Sequence, residues 1–373
     1  MDEWADRQDR VRTPDRAVRM PGRAPHDGAA PADGTAAAGN GGRPARGRAE
    51  LAFFTDEGAP ARLSAAYWGD LPPGQQRHGL RARPVTLGED WRVLQYRLTH
   101  TARGDHRARD RLEAEVGVGL AVRRAFGDAP YHQLFARFGG YHLDVREPFV
   151  FYEPARGRPL SALAGRATVK EQERIRSELV LAVRLLEAIG VVHRGLTPYS
   201  VRWDGRHVRL PEPCLATRAG HPREALGEAP WASPEQRAGH GTADPRDDLW
   251  SVAQVMYHLV TGREGEPDGP PRDLARLPAL GVLSTAYAPR AAERGHPVEV
   301  LRMLNRQDPL QGRPLPADPL EPGRRAFDEE LACKRAALGL DDGPEAEAGP
   351  GRVPGRGLRA LFGAGRTGTG GRR

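Results

Sequence analysis

A helix that is apolar on every side constrains this chain more than any other segment. The residues from Leu249 to Gly262 read LWSVAQVMYHLVTG and contain no Asp, Glu, Lys or Arg. A helix of this kind has to be enclosed by protein, which predicts a helical core around it. Asp247 and Asp248 come directly before it, where acidic residues commonly cap a helix, and Gly262 favours its end.

Periodicity elsewhere predicts a second helix and a preceding set of strands. Apolar residues spaced three and four apart predict an amphipathic helix over 172–190. Short apolar runs separated by Gly, Pro and Asp predict four strands before residue 100 and one more ahead of the amphipathic helix. The predicted strands are 51–54, 62–68, 84–87, 91–98 and 147–153, and further helices are predicted at 110–124 and 298–305. The pattern indicates a small sheet with one helix, followed by a mostly helical part.

Composition separates this core from both ends of the chain. Of the 373 residues, 1–48 and 342–373 are rich in Gly, Pro, Ala and Arg and show no apolar periodicity. Such stretches cannot bury enough apolar surface to offset the entropy of ordering, so both are predicted to be disordered tails. The remainder is predicted to form two domains, 49–153 and 154–341.

The formal net charge of +7 raises the question of nucleic-acid binding. Among 56 Lys and Arg residues, only Lys170 and Lys334 are lysines. This bias is more typical of a GC-rich genome than of a phosphate-binding surface, and no basic patch is interleaved with aromatic residues. Nucleic acid is therefore not expected as a partner.

Cysteine content and hydropathy bear on the compartment. Cys214 and Cys333 are the only cysteines, so neither a disulfide framework nor a cysteine-based zinc site is expected. No apolar run reaches the length of about 18 residues that a membrane-spanning helix needs, and the N-terminus lacks the apolar core of a signal peptide. We expect a cytoplasmic protein without a membrane span.

The motif with the clearest chemical meaning runs from His193 to Ser200 and reads HRGLTPYS. It resembles the catalytic loop of eukaryotic-type Ser/Thr protein kinases, His-Arg-Asp-Leu-Lys-Pro-x-Asn. The resemblance makes His193 and Arg194 structural residues of the loop. Gly195 stands at the position of the catalytic aspartate, and Thr197 at that of the lysine that steadies the transferred phosphate. Ser200 replaces an asparagine that holds magnesium.

The resemblance extends from about residue 60 to 335 and implies further roles. Glu212 stands where the family has its magnesium-binding aspartate, and its extra methylene displaces the carboxylate. Glu235 corresponds to a structural glutamate whose arginine partner would be Arg313. Asp248 corresponds to the aspartate that holds the backbone of the catalytic loop, and Glu228 replaces a threonine that contacts the catalytic residues.

The nucleotide-binding part of the family pattern is incomplete. By resemblance, Phe151, Tyr152 and Glu153 form the hinge that reads adenine through backbone groups. Glu115 corresponds to the helix glutamate that pairs with the phosphate-binding lysine, although a surface carboxylate is an equal alternative. Neither a lysine nor a G-x-G-x-x-G occurs before Lys170. The residues that could lie near the lysine position are Arg92, Tyr96 and Arg97.

The implied fold class is α+β: a bilobal protein-kinase-like fold with a small β-rich N-lobe, a larger helical C-lobe and disordered tails. ATP and magnesium are the implied cofactors, and the replaced residues of the catalytic loop argue against the binding of both. The first hypothesis is a pseudokinase that acts as a signalling scaffold or regulator with an unidentified protein partner. The alternative is an atypical ATP- and magnesium-dependent phosphotransferase using Glu212, Ser200 and Asp204. A weaker alternative is a basic adaptor that binds nucleic acid or an acidic partner through its tails; the oligomeric state is open.

Overall fold

The structure is a computed structural model that describes residues 47–72, 79–99, 104–318 and 321–337. The predictions for the two tails fall outside these ranges, except that Gly47 and Arg48 already belong to the first strand. Part of the segment in which a glycine-rich loop would lie, 73–78, is also outside them. The division of the ordered part at residue 153 stays a prediction.

Six antiparallel strands form the N-terminal part. They are β1 (Gly47–Thr55), β2 (Pro60–Tyr67), β3 (Leu80–Leu87), β4 (Trp91–Leu98), β5 (Phe138–His142) and β6 (Phe149–Tyr152). The order around the sheet is β1-β2-β3-β4-β6-β5. Strand β1 pairs with β2 along most of its length and also with β5, through Phe54 opposite Tyr141 and Thr55 opposite Gly140. The sheet is therefore a closed barrel.

This closure corrects the predicted fold class. The bilobal kinase-like fold expected from the motifs is wrong, because the strands form a closed six-stranded antiparallel barrel. Strand alternation predicts where strands lie but is the same in an open sheet and in a barrel. Closure depends on a pairing between residues more than 80 positions apart, which no local pattern contains.

Gly140 permits the contact that closes the barrel. Its φ is 150°, and a Cβ at this position would lie 2.4 Å from the carbonyl oxygen of Phe54 and 2.9 Å from the ring of Phe53. Only glycine lets the two backbones approach this closely.

Helix α1 (His106–Phe126) covers the outer face of the barrel. Its apolar residues, among them Leu112 and Val116, pack against Tyr96 and Tyr152 of the sheet. Gly119 lies against Phe138, whose ring would be 2.7 Å from an added Cβ. The glycine within this helix thus allows close packing rather than ending the helix.

Five further α-helices are described after the barrel, and α4 is central to them. They are α2 (Val169–Ala188), α3 (Pro234–Ala238), α4 (Pro245–Thr261), α5 (Pro297–Met303) and α6 (Glu321–Ala337). Every residue of α4 from Asp247 to Leu259 is buried, as the apolar sequence predicts. Its N-terminal cap is Asp244 rather than Asp247 or Asp248, and Gly262 ends it with a φ of 74°.

Short strands and 3-10 helices connect these elements. The strands are β7 (Arg158–Pro159), β8 (Val191–Val192), β9 (Arg202–Trp203), β10 (Val208–Arg209) and β11 (Thr217–Arg218). The 3-10 helices are Pro130–Leu134, Leu160–Leu163, Leu274–Arg276, Pro278–Tyr287 and Ala291–Glu293. Within the described ranges, no helix combines the length and the apolar character needed to cross a membrane.

Candidate functional site

The loop from His193 to Ser200 lines a cavity of about 580 Å³. Two further segments, beginning at Pro211 and at Ala225, complete the wall. The positions that they contribute are Pro211, Glu212, Cys214, Leu215, Ala225, Leu226, Gly227, Glu228, Trp231, Ala232 and Arg237. The structure therefore brings four predicted site residues together around one space: Gly195, Thr197, Ser200 and Glu212.

Asp248, near the start of α4, fixes the backbone of this loop. Its two carboxylate oxygens accept hydrogen bonds from the backbone N–H groups of His193 at 2.6 Å and Arg194 at 2.8 Å. Burial raises the pKa of Asp248 to about 7, even though both N–H groups favour the ionised carboxylate. Arg194 has a positive φ of 62°, a conformation that costs energy for a residue with a side chain. The Asp248 contacts help to hold it.

His193 lies beneath the loop as a neutral, structural group. Its Nε2 donates to the carbonyl oxygen of Pro211 at 3.1 Å, and its Nδ1 accepts from the N–H of Gly195 at 3.3 Å. These two partners define the neutral tautomer that carries its proton on Nε2. Burial lowers the pKa of His193 to about 4. A histidine held in this state has no free nitrogen with which to take a proton from a substrate.

The hydroxyl groups of Thr197 and Ser200 are directed at each other and at the loop backbone. Their oxygens are 2.9 Å apart, and each accepts from the backbone N–H of the other residue at 3.1 Å. Ser200 Oγ also lies 3.2 Å from the carbonyl oxygen of Gly195, to which it can donate. The two hydroxyls close a local turn and supply neither the charge of a lysine nor the amide of an asparagine.

Gly195 leaves space where a catalytic base would stand. Its φ is not in the left-handed region, and an added Cβ would meet only His193 and Leu215, at 3.5 Å or more. The backbone at this position therefore accepts a residue with a Cβ in ordinary van der Waals contact.

Glu212 accepts a hydrogen bond from Tyr96, which is one of the three residues considered for the position of the phosphate-binding lysine. Tyr96 Oη, on β4, donates to Glu212 Oε1 at 3.3 Å. Of the three residues considered for that position, Arg97 instead pairs with Asp70 and Glu147, and Arg92 is exposed. A phenol is neutral at physiological pH and cannot replace an ammonium group on a phosphate.

A metal site would need further ligands around Glu212. No group of three or more His, Cys, Asp or Glu side chains suited to a metal ion occurs in the described part of the chain. Glu212 is an oxygen donor of the kind that magnesium prefers, and Ser200 lines the same cavity with its hydroxyl engaged in the loop. Glu212 and Ser200 are the predicted residues that would hold a magnesium ion in this cavity.

The positions expected to contact a nucleotide do not line this cavity. Phe151 and Tyr152 are fully buried in the apolar clusters on either side of β6. The N–H of Glu153 donates to the carbonyl oxygen of Arg137 at 2.9 Å, so this backbone donor is already engaged. Glu115 is buried on α1, which excludes the alternative of a surface carboxylate.

The partner of Glu235 is Arg294, not Arg313. Arg294 donates from Nη2 to Glu235 Oε2 at 2.5 Å and from Nη1 to Asp247 Oδ1 at 3.3 Å, and its side chain is fully buried. Arg313 is exposed. Counting along the motif misplaced the partner, because the segment beginning at the 3-10 helix Ala291–Glu293 carries the arginine back to α4.

Asp247, which Arg294 also contacts, accepts hydrogen bonds from a second set of side chains. Arg223 donates to both of its oxygens, at 3.0 and 3.2 Å, and the hydroxyl of Ser233 donates at 2.9 Å. The guanidinium of Arg294 also lies over the ring of Trp250, 5.2 Å from its centre. The cluster joins α3, α4 and the loop before α5 below the cavity.

Glu224 was not anticipated from the sequence, and it connects α1 to the loop. Its Oε2 lies 3.8 Å from Arg111 on α1 and 3.9 Å from Arg194. The Arg194 guanidinium also donates to the carbonyl oxygen of Leu215 at 2.7 Å, and burial lowers its pKa. The spacing of these residues along the chain carries no signal for this convergence.

Comparison with known proteins relates the chain to Ser/Thr protein kinases, although no family model matches it. Serine/threonine-protein kinase PksC of Streptomyces coelicolor is 28% identical over 226 residues, which are 56% of this chain and 37% of that kinase. Pkn1 of Myxococcus xanthus, also a serine/threonine-protein kinase, is 32% identical over 132 residues, 31% of this chain and 18% of the relative. The probable serine/threonine-protein kinase PknB of Bifidobacterium longum is 26% identical over 130 residues, 32% and 19% respectively.

These matches support a protein-kinase-like domain in this chain. The matched regions span 37% or less of the length of the three relatives.

Proposed function

We propose that this chain is a pseudokinase, a protein-kinase-like protein that does not transfer phosphoryl groups and acts as a scaffold or regulator for another protein. The observation that carries the proposal is the lining of the cavity at the HRGLTPYS loop. Three positions that would hold the base, the phosphate and a metal are Gly195, Thr197 and Ser200, and the two hydroxyls are engaged with each other. The structural residues around them, His193, Arg194 and Asp248, are present.

The electrostatics of the cavity support the same conclusion. Phosphoryl transfer depends on cations that neutralise the phosphates and on a positioned base. The wall carries two carboxylates, Glu212 and Glu228, and its two guanidinium groups are already engaged, because Arg194 donates to the carbonyl oxygen of Leu215 and Arg237 donates to Asp268. From the barrel, the hydroxyl of Tyr96 donates to Glu212. Carboxylates without a bound metal repel a polyphosphate.

Retention of the supporting contacts points to a role that needs the folded domain. Asp248 holds the loop, and the buried Arg294 joins the half-buried carboxylate of Glu235 to the buried carboxylate of Asp247. Removing one member of a buried ion pair typically costs about 3–5 kcal/mol, so such contacts stabilise the fold whether or not chemistry takes place. A scaffold requires this stability.

The alternative of a rearranged phosphotransferase loses one of its residues. Asp204 is exposed in the turn between β9 and β10, where its Oδ1 accepts from the N–H groups of Arg206 and His207, each at 2.8 Å. It does not line the cavity. Of the three residues that this hypothesis names, Glu212 and Ser200 remain at the cavity.

Thermal unfolding of the chain with ATP, with and without magnesium, tests the proposal. A ligand at 100 times its Kd would add about 2.7 kcal/mol of stability. For a domain of this size, the unfolding temperature would rise on the order of 5–10 °C. We expect no magnesium-dependent rise. A rise that requires magnesium and disappears in Glu212→Ala would contradict the proposal, because it would make Glu212 a working metal ligand.

A further inference from the structure

The interior of the barrel changes character from one end to the other. Along β4, successive inward positions are Val93, Gln95 and Arg97, since side chains two apart share a face. Val93 belongs to an apolar cluster with Phe53 and Phe151 inside the barrel. Beyond this cluster the inward positions become polar and cationic.

A cavity of about 550 Å³ lies at this polar end, which we call the barrel mouth. Its size is that of a small-molecule site, and the mouths of barrels commonly hold one. The mouth is lined by Leu51, Ala52, Arg83, Gln95, Arg97, His142, Val145, Arg146, Glu147 and Phe149. None of these residues lines the catalytic-loop cavity.

The charge of the barrel mouth is unbalanced. Its wall carries three guanidinium groups, those of Arg83, Arg97 and Arg146, against the single carboxylate of Glu147. Arg97 donates to Glu147 at 2.5 Å and to Asp70 at 2.7 Å, and the side chain of Arg97 is only 15% exposed. The carboxylates of Glu147 and Asp70 thus both pair with Arg97. The guanidinium groups of the cavity wall still outnumber its carboxylates.

Arg83 is held in position by neutral groups. Its Nε donates to Gln95 Oε1 at 2.6 Å, and its guanidinium lies over the ring of Tyr67, 4.1 Å from the centre. Burial and then the nearby charge of Arg97 lower the pKa of Arg83. An anion placed between the two guanidinium groups would relieve this repulsion.

Two buried polar atoms at the barrel mouth have no hydrogen-bond partner among the described residues: Nε of Arg97 and Nδ1 of His142. Buried polar groups are usually satisfied, and exceptions call for a ligand or water. Here both exceptions belong to residues that line the same cavity.

We propose that the barrel mouth binds a small organic anion. Its anionic group would lie against Arg83, Arg97 and Arg146, and its apolar body would lie against Leu51 and Phe149. A guanidinium fork suits a carboxylate or a phosphate equally, so the charge and the apolar body define the ligand class. This site is independent of the catalytic-loop cavity and of the proposed pseudokinase role.

Isothermal titration of the full chain with benzoate, phenyl phosphate and neutral benzamide tests the site. We expect one or both anions to bind and benzamide not to bind. Arg83→Met and Arg146→Met should each weaken binding at least about tenfold, since each removes a charge that faces the anion. Arg146 is in an exposed loop, so its replacement leaves the fold intact even if Arg83→Met does not fold. The matched control is Arg92→Met, on β4 but exposed.

The preference between the two anions identifies the ligand group as carboxylate or phosphate. The proposal is overturned if neither anion binds at about 10 mM, a concentration that detects even weak sites. It is also overturned if benzamide binds as well as the anions, or if Arg92→Met weakens binding as much as Arg83→Met and Arg146→Met.

Discussion

Single buried polar residues hold the loop from His193 to Ser200 in place. Asp248 accepts from the two backbone N–H groups at the start of the loop, and His193 bridges Gly195 and Pro211. Arg294 neutralises Glu235 and Asp247 beneath it. Leaving any of these groups without its partner would lower the free energy of unfolding, so each has a measurable effect on stability.

Replacing Arg294 tests the corrected ion pair. We expect Arg294→Met to lower the free energy of unfolding by about 3–5 kcal/mol, because two carboxylates would lose their buried partner. Arg313→Met is the matched control and should change it by no more than about 0.5 kcal/mol, since Arg313 is exposed. Urea unfolding of both variants measures the difference. Equal losses would show that Arg294 does not carry this role.

His193 gives a pH-dependent contribution with a definite sign. Its pKa in the folded chain is about 4, below the ordinary value of 6.5, so the unfolded chain binds the proton first as the pH falls. The histidine therefore destabilises the fold increasingly from about pH 6.5 down to 4. Asp248, with a pKa raised to about 7, acts in the opposite direction over an overlapping range.

A comparison with His193→Gln isolates the histidine. Glutamine can still donate to the carbonyl oxygen of Pro211 but does not titrate. Between pH 7.5 and 5, the free energy of unfolding of the wild type should fall by about 2 kcal/mol more than that of the variant. Parallel pH profiles of the two proteins would contradict the assignment of His193 as a buried neutral group.

At the scale of elements, closure of the barrel depends on β1 meeting β5 at Gly140. Gly140→Ala should lower the free energy of unfolding by about 2–4 kcal/mol, because the new Cβ would collide with backbone and force an unfavourable φ. Gly117→Ala, in α1, meets nothing within 4 Å. That variant should be stabilised by about 0.5–1 kcal/mol, as expected for a helix interior. Thermal unfolding of the two variants measures the difference in stability. Equal changes in the free energy of unfolding would mean that Gly140 is not needed for closure.

The same elements show how far sequence patterns reach. Periodicity placed α2 and a continuous apolar run placed α4 within a few residues of their observed limits. The strand β4 was placed from an apolar run bounded by turn residues, and all three signals are local. The short strand β5 was not predicted, since FGGYH contains two glycines and no run of β-branched residues. Closure through β5 therefore could not be foreseen.

At the site, motif spacing was informative only near the motif. Gly195, Thr197, Ser200 and Glu212 lie close in sequence and share one cavity wall. Arg294 and Glu224 reach the site from distant segments in an arginine-rich chain, where no spacing distinguishes one arginine from another. Tyr96 was one of three candidates on β4, and only the structure shows which of them meets Glu212.

At the scale of the whole molecule, two cavities are built with different chemistry. The wall of the catalytic-loop cavity holds two carboxylates and two guanidinium groups, whereas that of the barrel mouth holds three guanidinium groups and one carboxylate. We infer that the kinase-like domain has kept its supporting contacts without the groups for phosphoryl transfer, and that small anions bind elsewhere, in the barrel.

Phosphoryl transfer from ATP, measured with magnesium for the wild type and Glu212→Ala in parallel, is the most direct test of the central claim. The account predicts that both proteins incorporate phosphate at the same background rate, into themselves and into a general protein substrate. A positioned base alone contributes about 10²–10⁴ in rate. A wild-type rate at least about 100-fold above that of Glu212→Ala would therefore show a working catalytic site and contradict the account.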